Sequence, residues 1–350
     1  MKAIAKTKPT EPGVNVVEAP APTISAPDDV LVKVQTTSIS GSEINIWRGT
    51  YRRPNGEPVA PGRVLGYEFA GIVEKAGAAA KEAGFLPGRR VALGSPFVPC
   101  TKCEPCSMGF VNRCRNWGHV GITRDGSDAE LACVPTITLQ LLDDKVDSLD
   151  AAFLNTAGLA VRAVDRSHLV PGDRIAVVGP GPVGLFMLQA ARAAGAAWAG
   201  VVGLPSDASR LKIAAQLGAD ACFTASDSTV AEIKAATEGL GPEVVFEAAG
   251  SPEGIKMAVD LVRVGGTVIL AGLPPQKIAP FESIRVARDE ISMIGAEGNL
   301  PADRRRALRL FASGDLKARP LVTHRFSMDK AEEAFQVAAS GAACKVVFDI

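Results

Sequence analysis

The stretch VVGPGPVGL, Val177 to Leu185, constrains the fold of this chain more than any other segment. It sets Gly179, Gly181 and Gly184 in the spacing Gly-x-Gly-x-x-Gly, directly after the apolar run RIAVVG and at the head of the helical pattern PVGLFMLQAARAAG. The first glycine makes a tight turn, the second lets backbone approach a pyrophosphate, and the third permits close helix–strand packing. A helix starting there, with Pro182 and Val183 in its first turn, offers free N–H groups and a partial positive charge to phosphates. Glycine-rich turns are common, so the motif gains its meaning from the strand before it and the helix after it. The sequence predicts a dinucleotide-binding domain.

The surroundings extend that reading. WAGVVG, ACFTA, EVVFEAAG, TVILAG and ISMIGAEG alternate with the helical stretches DASRLKIAAQLG, VAEIKAATEG and SPEGIKMAVDLVRVGG. Strands that read as unbroken apolar runs between helices argue for a parallel sheet covered on both faces. Ala249, Gly272 and Leu273, just beyond two of these strands, are further candidate cofactor contacts. A ribose-binding acid is expected about 20 residues past the motif. Gly203 stands there instead, in VVGLPSDASR. Ser206 and Arg210 can receive a 2′-phosphate, which tilts the expectation towards NADP; Asp207 reaching the ribose from a longer loop would favour NAD.

Before Asp150 the rhythm differs. DDVLVKVQTTSIS, EFAGIVEKAG, GRRVALGS and AELACVP are short alternating strands bounded by Pro and Gly. A chain of 350 residues exceeds what one core usually supports, so two domains are expected. The expected boundaries are a β domain over 1–150, a nucleotide domain over 151–290, and a tail over 291–350 that finishes the parallel sheet and returns to the first domain.

Cys100, Cys103, Cys106 and Cys114 lie three, three and eight residues apart. Four thiolates on so short a loop can close a tetrahedral shell around zinc with no open position, so such a site pins a loop rather than doing chemistry. Cys133, Cys222 and Cys344 stand alone and read as core residues. Seven cysteines, four of them clustered, suit a reducing cytoplasm better than a disulfide framework. The N-terminus MKAIAKTKPTEPG lacks the apolar core of a signal peptide, and no long apolar run suggests a membrane span. Lys plus Arg and Asp plus Glu are equal at 38 each, which points away from nucleic acid and anionic membranes as partners.

With the β domain first, then the cysteine lobe, then GPGPVG and a short returning tail, the chain resembles over essentially its whole length a zinc-type member of the medium-chain dehydrogenase/reductase superfamily. The resemblance implies an α/β protein with a GroES-like β domain, a Rossmann doubly wound parallel-sheet domain, and an active site between them. It identifies the cysteine lobe with the family's structural zinc site, one zinc per chain. It also implies a homodimer or homotetramer, with edge pairing through ISMIGA.

Family members with catalytic zinc usually carry Cys-Gly-(Ser/Thr)-Asp-x-His, then Gly-His-Glu, then an acid or cysteine just before the nucleotide domain. Here the first segment is Ser40-Gly41-Ser42-Glu43-Ile44-Asn45, the second Gly66-Tyr67-Glu68, and the third position falls on Asn155. A hydroxyl, a phenol and an amide are poor zinc donors. The expectation is therefore that catalytic zinc is lost while structural zinc is kept.

Ser42 matches the family's proton-relay hydroxyl, and Asn45 stands where a relay histidine often sits. Tyr67 enters either as a general acid or base, its phenol lowered by a neighbouring cationic nicotinamide ring, or as a wall residue with one hydrogen bond. Glu68 reads as a structural acid or a base, the structural role being the safer. Trp47 and Tyr51 either shape the pocket or belong to the core. His119 either lines the cleft or is a satisfied loop histidine.

Three functions remain open at this level. One is an NAD(P)-dependent oxidoreductase moving hydride between nicotinamide and a C–OH/C=O group of a small polar substrate without catalytic zinc. The second is a reductase of conjugated C=C or C=N bonds, and the third a redox-inactive nucleotide-binding scaffold.

Overall fold

The computed structural model describes residues 1–53, 55–274 and 279–350, which divide into two compact units. The first comprises Met1–Asn155, Asn299–Ala312 and Lys317–Ile350; the second comprises Thr156–Gly298 and Ser313–Leu316.

The first unit is built on a seven-stranded sheet. Its long strand Asp29–Ser38 pairs antiparallel with Phe69–Ala76 on one side and with Lys345–Asp349 on the other, and also with Leu131–Pro135. Arg90–Leu93 and Leu139–Leu141 extend one end, and Val322–Ser327 closes the other. The returning tail thus enters the sheet itself, with Lys345–Asp349 held between Val322–Ser327 and Asp29–Ser38. Apolar side chains fill both sides: Val30, Val32, Val34, Phe69 and Leu93 in one cluster, Ile4, Ile46, Leu65, Phe335 and Phe348 in another. A three-stranded sheet (Asn15–Glu18, Lys2–Lys6, Arg63–Val64) and a two-stranded one (Phe97–Val98 with Gly118–His119) complete the unit.

The second unit is a six-stranded, all-parallel sheet. Its order is Ala221–Thr224, Trp198–Gly203, Arg174–Val178, Val244–Glu247, Thr267–Leu270 and Ser292–Gly295. The chain starts in the middle at Arg174–Val178, runs outwards on one side, then returns to fill the other. That reversal makes a crevice at the carboxyl ends of Arg174–Val178 and Val244–Glu247, the usual ligand position in open α/β sheets. Four of the five residues of Arg174–Val178 and all of Val244–Glu247 are buried, as strands covered on both faces require. Among the lone cysteines, Cys344 is buried as expected and Cys133 is half-buried. Cys222 corrects its expectation: it lies exposed, because Ala221–Thr224 is the outermost strand of the sheet.

Candidate active site

The glycine turn follows the strand Arg174–Val178 as its sequence requires. Gly179 has φ +102°, and a Cβ there would fall 2.6 Å from the Ala249 amide nitrogen. A Cβ on Gly184 would run into the Gly179 carbonyl oxygen, so the helix Pro182–Ala193 sits against the turn only because that residue is glycine. Gly181 differs: a Cβ there meets nothing within 4 Å. It is the N-cap of that helix, with no side chain capping the first turn and Pro182 and Val183 following. Unclaimed amides beside open space fit a pyrophosphate.

The neighbouring strand ends carry the other candidates. A Cβ on Gly203 would lie 2.8 Å from Pro180 Cγ, which gives a packing reason for the missing acid at that position. Ser206 is exposed, while the Arg210 guanidinium donates to Asp207 Oδ1 at 3.1 Å and the Leu204 amide to Asp207 Oδ2 at 3.0 Å. Asp207 is therefore engaged within its own turn. Ala249 is placed by a residue that sequence reasoning passes over. Buried Glu247 accepts from the Ala249 and Gly250 amides at 2.9 and 2.8 Å, and a Cβ on Gly272 would lie 2.5 Å from its Oε2. Burial raises the Glu247 carboxyl pKa, with these amides pulling the other way. Leu273 stands out from the surface, 70% exposed.

In the first unit the four cysteines gather in one lobe, their sulfurs all within 4.8 Å of one another. Cys103 Sγ lies 3.5 Å from Cys106 Sγ and 3.8 Å from Cys114 Sγ. The edge of a zinc–thiolate tetrahedron with Zn–S of ~2.3 Å is about 3.8 Å, so the spacing fits zinc. Amides already point at the sulfurs: Cys100 N–H donates to Cys114 Sγ at 3.2 Å and Arg115 N–H to Cys103 Sγ at 3.5 Å. The Arg115 amide is the first cause holding the Cys103 thiol down at about 6.

The third group lies in the same unit but in a different place. Ser40 is the N-cap of the helix Gly41–Trp47: its side chain accepts from the Glu43 amide at 3.3 Å, and Glu43 Oε2 accepts from the Ser40 amide at 2.9 Å. The tyrosine of Gly66-Tyr67-Glu68 comes up against it, with the Ser40 and Ser42 hydroxyls near enough to ease the phenol pKa down. Tyr67 is 7% exposed, and its ring meets His119 edge-on at 5.0 Å. His119 is buried among Tyr67, Phe97 and Trp117, and burial holds its imidazole down at about 4, so it is neutral. In this chain the Tyr67 phenol is pushed up, not down, first by burial and then by the carboxyls of Glu43 and Glu68. That corrects the expectation of a lowered phenol as far as the protein's own groups go.

Glu68 is fully engaged: its Oε2 takes the Lys345 ammonium and the Ser38 hydroxyl, and Lys345 also donates to the Ile39 carbonyl at 3.0 Å. Asn45 lies exposed on the helix 41–47, three residues beyond Ser42. Asn155 is bound through its carbonyl and Oδ1 by Asn299 Nδ2, at 3.0 and 3.1 Å. Trp47 donates to Glu332 and packs, with Tyr51, against the core. The structure thus brings Ser40, Ser42, Tyr67 and Glu68 into one neighbourhood and gives Asn155 a partner of its own. Sequence reasoning does not single out Lys345. The available signal was a charge inside an apolar run, in ACKVVFDI.

Comparison with known proteins agrees with this arrangement. Residues 26–144 match the alcohol dehydrogenase GroES-like domain, and residues 182–313 match the zinc-binding dehydrogenase family. A sorbitol dehydrogenase of Halalkalibacterium halodurans is 32% identical over 99% of this chain and 98% of its own length. The D-arabitol-phosphate dehydrogenase of Enterococcus avium is 30% identical over 100% and 97%. A chain from Sinorhizobium meliloti 1021, assigned as a zinc-binding dehydrogenase and solved bound to NADP, superposes with a TM-score of 0.89 at 31% identity, covering 100% of this chain and 99% of its own. Glycine turn, cysteine lobe and full-length likeness converge: the chain belongs to the zinc-type medium-chain dehydrogenase/reductase superfamily and is an NAD(P)-dependent dehydrogenase.

Proposed function

We propose that this chain transfers hydride between NAD(P) and a C–OH/C=O group of a small polar substrate, a polyol or its ketone, without a catalytic metal. The reading is carried by one observation: the trio Ser40, Ser42 and Tyr67 clusters beside a Glu68 whose carboxylate already holds Lys345. Hydroxyl, phenol and amide donors suit zinc poorly, and an acid that carries an ammonium has little charge left for a cation. The polyol class follows the sorbitol and arabitol-phosphate relatives.

Bound NAD(P) supplies a two-electron hydride carrier. Gly179, Gly181, Pro182, Val183 and Gly184 would hold its pyrophosphate, and Gly203, Ala249, Gly272 and Leu273 would line its path. Ser206 and Arg210 would favour a 2′-phosphate, hence NADP. Ser42, the partly exposed member of the trio, would meet the substrate oxygen, with Tyr67 and Ser40 passing its proton inward. Cys100, Cys103, Cys106 and Cys114 would hold a single structural zinc. The edge strand Ser292–Gly295, which pairs only with Thr267–Leu270 among the described residues, would join two copies.

The test combines metal content with turnover of D-sorbitol and D-fructose, using NADP(H), before and after mild chelation. About one zinc per chain, activity that survives chelation, and a fall in kcat of about 10²-fold or more in Tyr67→Phe are expected. Two zincs per chain, or an intact Tyr67→Phe turnover number, would overturn the reading. Reduction of enones alone would move the protein to the conjugated-bond class, and NADPH binding with no turnover to the scaffold class.

A further inference from the structure

Asn155 stands where relatives with catalytic zinc place a third ligand, and its partner decides which way its amide faces. Asn299 Nδ2 donates to the Gly94 carbonyl at 2.9 Å, to the Asn155 carbonyl at 3.0 Å and to Asn155 Oδ1 at 3.1 Å. Two of those three are main-chain carbonyls, which only accept, so the side of Asn299 that meets them is its NH2. The atom of Asn155 that meets the same NH2 is then its oxygen. Each amide fixes the orientation of the other, and Asn155 Nδ2 is left facing away from the clamp. That nitrogen donates to no described residue, and on its half-buried side chain it is not sealed from solvent. Asn299 is 1% exposed, and its own Oδ1 is buried without a hydrogen bond. An unmet buried acceptor costs about 1–3 kcal/mol, so stability alone does not explain the clamp.

Two connections inside the first unit tie this clamp to the floor of the candidate site. Strands 69–76 and 90–93 run antiparallel with Ala70 opposite Ala92, and carrying that register two residues further sets Gly94 opposite Glu68. From the other direction, the Phe153 ring, two residues before Asn155, lies 5.3 Å from the Lys345 ammonium that holds Glu68. A metal ligand must offer a lone pair, and this amide has turned its oxygen towards Asn299. A substrate oxygen accepts, and a free N–H suits it.

We propose that Asn155 donates through Nδ2 to the reacting oxygen of the substrate, with Asn299 as the residue that positions it, a role that rests on the function proposed above. In reduction the carbonyl carbon receives hydride, with its electron pair, from the reduced nicotinamide, and the C=O π pair moves onto oxygen. The Asn155 N–H···O bond strengthens as that charge grows, and the amide keeps its proton. The proton that completes the alcohol comes from Ser42. Oxidation runs the same steps backwards. A fixed donor aimed at a developing oxyanion works more in the transition state than in the ground state, so its loss falls on kcat.

Exchange of side-chain amide protons with water tests the orientation without any need for substrate. In 15N-labelled wild-type protein, with each NH2 assigned through its own side-chain carbons, the Asn299 protons should exchange slowly and the Asn155 protons fast. Any other pattern overturns the proposal. Asn155→Asp keeps an oxygen for Asn299 but puts an acceptor where the N–H was. With NADPH and D-fructose at about pH 8, its kcat should fall about 10²-fold relative to wild type. The deficit should shrink towards acid, because the new carboxyl takes up a proton and becomes a donor again. A purely structural role predicts no such recovery, and an unchanged kcat, or a loss that persists in acid, overturns the substrate contact. Asn299→Leu leaves Asn155 intact but unheld and should lower kcat about tenfold. An unchanged kcat there overturns the positioning role, and this variant carries the kinetic test if Asn155→Asp fails to fold. If the wild type turns over neither polyol nor ketone, the substrate contact falls with the proposed function, while the exchange pattern still decides the orientation.

Discussion

Glu68 and Lys345 lie 277 positions apart and meet with side chains only 3% and 6% exposed. Their ion pair gains strength from the low dielectric but costs the solvation of both charges, so its worth shows when one partner is removed. Lys345→Met is expected to destabilise the first unit by about 3–5 kcal/mol, because Glu68 stays behind uncompensated. The double change Glu68→Gln with Lys345→Met should regain most of that loss. Chemical denaturation of the three variants measures it, and a single change costing under ~1 kcal/mol would contradict the pair's role. The sequence shows an isolated lysine in an apolar strand, but which acid it meets depends on a long-range pairing that no local pattern encodes.

At the scale of elements, the two helices that matter begin for opposite reasons. The helix 41–47 starts with its own cap, Ser40 and Glu43 bonding reciprocally, and Ser-Gly-Ser-Glu spells that device in the sequence. Ser40 reads at first as a lost metal ligand, and its capping role emerges only when the helix start is placed. The helix 182–193 starts with no side-chain cap, leaving its amides for a ligand. Two glycines of its turn should therefore respond differently to a methyl group. Gly184→Ala forces a Cβ onto the Gly179 carbonyl and should cost about 1–3 kcal/mol of stability. Gly181→Ala meets nothing, so the melting temperature should hold while NADPH affinity falls about tenfold or more, ~1.4 kcal/mol. Thermal melts with NADPH titration separate the two, and equal effects from both changes would refute the division.

Across the whole molecule, the nucleotide unit was legible almost strand by strand, since a parallel sheet announces itself in contiguous apolar runs at regular intervals. The first unit was legible as β structure, and Ser40, Ser42, Tyr67 and Glu68 came forward only through the family resemblance; Lys345, which holds Glu68, lies too far off in sequence to be paired with it. The division also has a thermodynamic reading. The cysteine lobe belongs to the first unit, together with Trp47 and Trp117, while Trp198 lies in the second. Stripping zinc with a chelator should lower the transition followed by Trp47 or Trp117 and leave that of Trp198 in place. Single-tryptophan variants, with phenylalanine at the other two positions, make the comparison, and reporters that shift together by the same amount would refute it.

The strand Lys345–Asp349 lies between Val322–Ser327 and Asp29–Ser38. On a ribosome, residues 156–298 emerge with all six of their strands in hand, whereas the earlier-made unit waits for a strand translated after all of them. Until then the Lys345 ammonium is missing from Glu68 and the long strand has an open edge at Thr36–Ser38. A chain lacking Lys345–Asp349 would leave the nucleotide-binding half complete and the other half's sheet unsealed beside its longest strand.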